Sequence, residues 1–169
     1  MSLVDQSAQI TACIPRLRRY ARALVGDRAA ADDLIQDTLE RAWAKTGQFR
    51  IGSDMRAWMF SIMHNLHINQ ARSKRESESF DAETNEIPVR ATQGDGLEIR
   101  DLERALRELP VEQREILLLV ALEDLSYEEV ASTLGIPLGT VMSRLSRARE
   151  RLRVLMNGLP ITQKLQVVK

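Results

Sequence analysis

The chain has 169 residues, of which 44% are hydrophobic and 28% charged, a balance that suits one medium-sized domain or two small ones. Aromatic residues make up only 4%, which argues against a large β-sheet core. The single cysteine, Cys13, excludes an intrachain disulfide and indicates a reducing, cytoplasmic setting. The N-terminus lacks a basic segment followed by an apolar run, so we expect neither a signal peptide nor insertion into a membrane.

The net charge of zero conceals four blocks of alternating composition along the chain. Residues 1–75 carry 12 Lys and Arg against 7 Asp and Glu, and residues 130–169 carry 7 against 1. The blocks between them are acidic, with 2 basic against 7 acidic residues over 76–100 and 3 against 9 over 101–129. Two separated basic blocks favour two basic contact surfaces on different domains. The alternative is that the charges only solvate exposed faces.

The first predicted helix lies near the N-terminus. Leu17, Tyr20 and Leu24 recur at helical spacing and indicate its buried face. Proline is tolerated in the first turn of a helix, so we expect Pro15 to lie there. Glycine readily adopts the left-handed conformation that ends a helix, so we expect Gly26 to be the stop.

Two more helices are predicted before residue 76. The segment 28–45 places apolar residues on one face and acidic or polar residues on the other. After a break at 47–53, a further helix buries an apolar stripe that includes Trp58, which we therefore predict to be a core residue. This helix closes on a basic cluster at its C-terminal end.

Residues 76–96 differ from both sides of the chain, because they are acidic and polar, contain a proline and two glycines, and show no apolar period. We predict a flexible linker there. Helical signals resume near Leu97, and Pro110 stops the first helix of this second half. The apolar run ILLLVAL within residues 111–123 indicates a deeply buried helix.

The segment LSYEEVASTLGIPLGT, residues 125–140, is typical of a helix-turn-helix. Ser126 and Glu129 have the spacing of a capping box, in which each side chain bonds the backbone N–H of the other. Gly135 provides a left-handed stop, and Pro137 opens the next helix within a few residues. Two short helices joined by a tight glycine turn form a motif that many DNA-binding proteins use.

The second helix of this motif combines an apolar stripe with arginines at helical spacing on another face. The predicted stripe consists of Val141, Leu145, Ala148, Leu152 and Leu155. Arginine forks can bond guanine edges or phosphates, and small residues near the helix start let the backbone approach DNA closely. A merely solvated arginine-rich helix is the alternative, and the capping box and glycine turn disfavour it. The residues that we expect to contact DNA here are Gly139, Thr140, Ser143, Arg144, Arg147 and Arg151.

Three stretches of the chain resemble the extracytoplasmic-function (ECF) type of bacterial RNA polymerase sigma factor. They are RRYARALVGDRAAADDLIQDTLERAW, RAWMFSIMHNLHINQARSKR and LPVEQREILLLVALEDLSYEEVASTLGIPLGTVMSRLSRARERLR, in this order around the predicted linker. The resemblance implies an all-α protein of two helical domains joined by a flexible acidic linker, with a helix-turn-helix in the C-terminal domain. The implied parts are region 2 at 1–75, the linker at 76–96, region 4 at 97–157 and a tail at 158–169.

The resemblance also implies the function. Such a protein has no chemistry and no cofactor or metal of its own; it binds core RNA polymerase, delivers it to promoter DNA and helps to melt the DNA. The polar face of the second helix would dock on the clamp helices of the polymerase. The residues of this face are Asp33, Gln36, Asp37 and Glu40.

Promoter contacts are implied in both domains. The loop at 45–54 and the helix after it would read the −10 element, where one base is flipped into a pocket. The residues at matching positions are Phe49, Arg50, Arg56 and Asn65, with Arg72, Lys74 and Arg75 on phosphates. The C-terminal motif would enter the major groove at the −35 element, and an anti-sigma factor is expected as a further partner.

Four positions depart from the residues usual in the family. Asn69 stands where Asp is common, and His64 stands near a usually basic position. Met142 replaces a frequent Lys or Arg, and Ser146 replaces a frequent aromatic residue. These changes bear on which bases the protein reads.

Two other kinds of protein fit parts of the pattern. A stand-alone helix-turn-helix regulator would need neither the acidic helix face nor the loop for opening DNA, and a helical antagonist of sigma factors would leave the arginines unexplained. His64 and His67 lie three apart, but no Cys, Asp or Glu follows at a useful helical spacing, so a metal site is disfavoured.

Overall fold

The computed structural model describes residues 2–78 and 97–157. Within these ranges the chain is built from α-helices with one short 3-10 turn and no strand, which confirms the predicted all-α class. It divides into two compact units. The helices of the first are α1 (Leu3–Val25), α2 (Arg28–Ala44) and α3 (Met55–Glu78), and those of the second are α4 (Leu97–Glu108), α5 (Val111–Ala121), α6 (Tyr127–Leu134) and α7 (Leu138–Met156).

Helix α1 begins at Leu3, so the prediction that Pro15 occupies its first turn is wrong. A capping box sets the true start, because the Ser2 hydroxyl accepts a hydrogen bond from the Asp5 N–H and the Asp5 carboxylate accepts one from the Ser2 N–H. Pro15 lies on the exposed side of the helix. Water can therefore reach the carbonyl of Thr11, which proline leaves without its helical donor.

The core of the first unit is a three-helix cluster in which α1, α2 and α3 all touch one another. Tyr20 of α1 packs edge-on against Phe60 of α3, with ring centroids 4.9 Å apart. Cys13 is buried here without a disulfide, and Gly26 ends α1 in a left-handed conformation as predicted. The largest fully buried side chains are Ile10, Leu17, Leu24, Leu34, Met59, Phe60 and Met63.

Helix α5 is the centre of the second unit, as its apolar sequence predicts. Ile116 and Leu119 are almost completely buried, and α7 and α6 pack against this helix. Arg114, also on α5, turns its guanidinium towards the C-terminus of α4. It donates to the carbonyls of Leu106, Arg107 and Leu109 at 2.7, 2.8 and 3.0 Å. This side chain therefore satisfies carbonyls that the end of a helix leaves without donors.

The boundary between the two units differs slightly from the prediction. Helix α3 continues to Glu78, so residues 76–78, which the sequence assigns to the linker, are helical. The remainder of the predicted linker, 79–96, and the predicted tail, 158–169, lie outside the described residues.

Candidate nucleic-acid interface

The helix-turn-helix forms by the local signals that the sequence predicts. The Ser126 N–H donates to the Glu129 carboxylate at 2.7 Å, and the Glu129 N–H donates to the Ser126 hydroxyl at 3.1 Å. Gly135 ends α6 with a φ of 65°, a left-handed conformation in which a side chain would be strained. Pro137 then caps α7 from an extended conformation. The capping box thus sets the start of α6, and the backbone conformations of Gly135 and Pro137 set the direction in which α7 leaves the turn.

Helix α7 buries one face against the other helices of the second unit, and its opposite face is exposed to solvent. Val141, Leu145 and Ala148 are buried, as predicted. Near the C-terminal end the prediction is only partly right, because Leu152 and Leu155 are half-buried whereas Val154 is buried. Three helices, α4, α5 and α6, contact α7.

Small uncharged residues occupy the middle of the exposed face in the N-terminal half of α7. Gly139, Ser143 and Ser146 are all exposed, and no atom lies within 4 Å of the place where a Cβ of Gly139 would be. The Ser143 hydroxyl donates to the carbonyl of Thr140 at 3.2 Å. Its oxygen therefore retains lone pairs that can accept from the amino group of a base.

The five arginines of α7 line both flanks of this small-residue strip. Arg144, Arg147 and Arg151 recur at helical spacing on one flank, and Arg149 and Arg153 lie on the other. Their burial differs: Arg147 is exposed, whereas Arg144 and Arg151 are half-buried and the Nε atom of Arg151 is buried without a hydrogen-bond partner. Two cationic flanks around a small centre match a major groove, which has phosphates on both walls and base edges at its floor.

The residues predicted to read the −10 element are not equally accessible. Phe49 is buried with 6% exposure, and its ring packs edge-on against Trp58 with centroids 5.2 Å apart. A base therefore has no access to the ring of Phe49 in this structure, while the neighbouring Arg50 is exposed. The prediction that Trp58 is a core residue is only partly right, because its side chain packs on Phe49 but is half-buried.

The remaining candidates extend along α3. Arg56 is half-buried at the first turn, where its N–H donates to the Asp54 carboxylate at 2.9 Å and its guanidinium lies 3.4 Å from the same group. Asn65 is exposed in the middle of the helix, and Arg72, Lys74 and Arg75 are exposed near its end. At 1.5 Å per residue, Arg56 and Arg72 are about 24 Å apart along the helix axis, the rise of roughly seven base pairs. The candidate residues of α3 therefore form an extended row along the helix and not a single pocket. We call this row the track along α3.

The acidic face of α2 is solvent-exposed, as predicted. Its four members, together with Ala30 and Gln70, line a shallow depression between α2 and α3. Gln70, which the sequence did not single out, donates its amide N–H to Asp37 Oδ2 at 3.0 Å. Trp43 follows one turn after Glu40 and is 44% exposed, so this face ends in an accessible aromatic side chain. Neither residue could be found by periodicity, because Gln70 comes from another helix and Trp43 resembles a core residue.

The part of the chain that the structure describes shows neither a candidate metal site nor a candidate membrane span. No cluster of three or more His, Cys, Asp or Glu residues has the proximity that a metal ion needs. No helix there combines the length and the apolar character required to cross a bilayer.

Comparisons with known proteins cover both units. Residues 10–64 match the family model described as the Sigma2 domain of PhyR, and residues 99–152 match Sigma-70, region 4. The ECF RNA polymerase sigma factor EcfG of Rhodopseudomonas palustris is 40% identical over 149 residues, covering 87% of this chain and 82% of that protein. The chain belongs to the family of ECF RNA polymerase sigma factors. It is an alternative sigma factor that directs transcription initiation by RNA polymerase, and proteins of this family are in general not enzymes.

Further relatives agree with this assignment of the sigma factor. SigL of Mycobacterium tuberculosis is 32% identical over 96% of this chain and 91% of its own length. Among solved structures, the sigma factor RpoE of Bartonella quintana, in complex with the anti-sigma factor NepR, has a TM-score of 0.80 and 36% identity, covering 90% of this chain and 97% of that one. CnrH, in complex with the cytosolic domain of CnrY, has a TM-score of 0.68 and 25% identity, covering 93% and 90%. Because the match extends through both units, a stand-alone helix-turn-helix regulator is not favoured.

Proposed function

We propose that this sigma factor holds promoter DNA at two places while the outer face of α2 binds core RNA polymerase. In this proposal residues 1–75 act as region 2, on the polymerase and the −10 element, and residues 97–157 act as region 4, on the −35 element. The observation that carries the proposal is the surface of α7, where small residues lie between two rows of arginine.

At the −35 element, α7 lies in the major groove with its N-terminal half nearest to the bases. Gly139, Thr140 and Ser143 lie closest to the base edges, where their small size permits a close approach. Arg144 and Arg147 bind a guanine edge or the adjacent phosphates from one flank. Arg151 is the weakest contact of the predicted set, because its Nε is already buried within the protein.

At the −10 element, the opened strand follows the track along α3. Arg50 and Arg56 lie at one end, Asn65 contacts a base in the middle, and the cluster at 72–75 holds phosphates at the other end. Phe49 supports the loop from inside, through its contact with Trp58, and does not touch a base.

The exposed face of α2 binds a basic surface of the polymerase. Asp33, Asp37 and Glu40 supply the negative charge, and Gln36 lies among them on the same face. The amide of Gln70 holds the Asp37 carboxylate in one orientation, which reduces the entropy that binding must remove.

An anti-sigma factor regulates this sigma factor in our proposal, and both act in the cytoplasm, where polymerase and promoter DNA are found. The support comes from the relatives RpoE and CnrH, whose structures contain NepR and the cytosolic domain of CnrY.

The experiment that tests the proposal is transcription in vitro with purified core polymerase on genomic fragments, with start sites mapped. We expect initiation at a small set of sites only when the sigma factor is added. Those sites should share one sequence near −10 and another near −35. Initiation that is identical with and without the protein, while the protein remains folded and binds the polymerase, would contradict the assignment of α7 and α3 to promoter DNA.

A further inference from the structure

Met142 is a large apolar side chain on the surface of the helix that we assign to the major groove. It retains 52% exposure, and Leu138, one turn before it, retains 38%. Apolar area in water is unfavourable, and a partner surface that covers it recovers free energy in proportion to the area. The inference drawn from this residue rests on the proposed function of α7 as a DNA-reading helix.

The two flanks of α7 differ at their N-terminal ends. The flank of Met142 begins with apolar residues and carries arginine only two turns after Met142. Its members in order are Leu138, Met142, Arg149 and Arg153. On the other flank arginine already occurs at Arg144 and again at Arg147. Phosphate binding alone would not produce this difference, because both walls of a groove carry the same charge.

The N-terminal part of such a helix is the part that meets base edges. A thioether neither donates a hydrogen bond nor accepts one strongly, so Met142 cannot use the donors and acceptors of a base edge. The only apolar group that a base pair presents in the major groove is the 5-methyl group of thymine. We propose that Met142 is a specificity-determining residue that contacts a thymine methyl group in the −35 element.

The surroundings of Met142 leave room for this contact. Gly139, three residues earlier, has open space where a Cβ would be, and Ser146, four residues later, is small and exposed. The methionine side chain can therefore lie along the helix surface on either side. Its three rotatable bonds and polarizable sulfur suit contact with a single methyl group.

The test measures binding of the holoenzyme to a promoter duplex identified by transcription in vitro. Each thymine of the −35 region is replaced in turn by deoxyuridine, which removes the 5-methyl group and leaves the hydrogen-bonding edge unchanged. For the unmodified protein we expect a loss of roughly fourfold in affinity at one thymine. Met142→Ala should bind the thymine duplex more weakly and should be insensitive to the same replacement.

Met156→Ala is the matched control. Met156 is 43% exposed on the same helix but lies at its C-terminal end, away from the proposed base contacts. This variant should keep the affinity of the unmodified protein and its full sensitivity to deoxyuridine.

Two results would overturn the inference about Met142 and leave the proposed function of α7 intact. One is that no single thymine replacement weakens binding, and the other is that Met142→Ala retains the full sensitivity, both while Arg147→Ala still weakens promoter binding. If Arg147→Ala and Met142→Ala both bind the promoter as the unmodified protein does, α7 is not the reading helix. The proposed function of α7 then fails together with the inference.

Discussion

The arginines of α7 share one helix but have different surroundings. Arg147 is exposed on the flank next to Ser143, whereas the Nε of Arg151 is buried and Arg153 forms an ion pair with Glu150 at 3.2 Å. A guanidinium that is exposed beside small residues can reach a base or phosphate without giving up an existing contact. Arg147 is therefore the residue at which a change should affect DNA binding most.

We expect Arg147→Ala to weaken binding of the holoenzyme to its promoter by about 1–3 kcal/mol if the side chain reads a base. Fluorescence anisotropy with a labelled promoter duplex measures this change. Arg104→Ala is the control, because Arg104 is exposed in the same unit but lies on α4 and pairs only weakly with Asp101, at 3.8 Å. Equal losses in the two variants would indicate a general effect of charge and not a contact by Arg147.

Arg114 performs a structural task that its charge alone does not reveal. Its three donations to the end of α4 hold α5 and α4 together. Burial lowers the pKa of Arg114, and the positive charge of Arg107 lowers this pKa further. The side chain remains charged near neutral pH, because the ordinary pKa of arginine is so high.

We expect Arg114→Met to lower the free energy of unfolding by about 3 kcal/mol, because the carbonyls at the end of α4 lose a charged donor. Arg114→Lys should recover only a small part of this loss, since one ammonium group cannot reproduce the fork of a guanidinium. Urea unfolding of the full chain, followed by circular dichroism, measures both. Arg104→Met should leave the unfolding midpoint unchanged; a similar change in all three variants would refute the role of Arg114.

At the scale of elements, two glycines lie at or near the turn between α6 and α7, and we expect their substitution to change the stability of the fold in opposite directions. Gly135 has a φ of 65°, whereas Gly139 lies within the first turn of α7, and neither has an atom within 4 Å of an added Cβ. Neighbouring atoms therefore do not decide the effect of a substitution at either site. The backbone conformation decides it at Gly135, and helix propensity decides it at Gly139.

We expect Gly135→Ala to destabilise the fold by about 1 kcal/mol, because alanine is strained in the left-handed region. Gly139→Ala should instead stabilise the fold by up to about 1 kcal/mol. It should still weaken promoter binding, since the new methyl group stands between α7 and the bases. Urea unfolding and promoter binding, measured on both variants, separate the two effects. A loss of stability in Gly139→Ala would contradict the placement of this residue in a regular, open helix.

The length of α3 matters at the same scale. Its 24 residues carry basic side chains at both ends, so one helix sets the spacing of the DNA contacts that we propose for the first unit. This spacing suits the extended DNA strand of our proposal, and it separates the basic cluster at 72–75 from the loop at the other end of the helix.

At the scale of the whole molecule, surfaces of opposite charge lie on different helices. The exposed face of α2 is acidic, and α7 together with the end of α3 is basic. A protein that binds both a polyanion and a protein partner benefits from this separation, because each surface repels the wrong partner. The net charge of zero thus conceals surfaces of opposite sign.

We expect Asp37→Lys combined with Glu40→Lys to reduce binding to core polymerase while the fold stays intact, because both positions are exposed and the new charges oppose a basic partner surface. Co-purification with core polymerase measures this. Asp32→Lys is the control on the same helix, at an exposed position outside the proposed face. Unaltered co-purification of the double variant would contradict the assignment of this face to the polymerase.

The local signals of the second unit could be predicted in detail, whereas the start of α1 could not. Ser126, Glu129 and Gly135 act within four residues of their partners, so their pattern is sufficient to place the turn. In α1, the pair Ser2 and Asp5 has the same chemistry, but Pro15 suggested a later start. The pattern could not reveal that Pro15 lies on the exposed side, where its missing donor costs little.

The sequence by itself determined the helical class, the helix-turn-helix and the family, because each depends on periodicity, caps and motifs within a short span of chain. Only the tertiary structure decided which candidate side chains are accessible. It buried Phe49 against Trp58, brought Gln70 to Asp37 from another helix, and left Met142 in solvent. Exposure and pairing depend on residues that are distant in the chain and adjacent in space, and no local pattern contains that information.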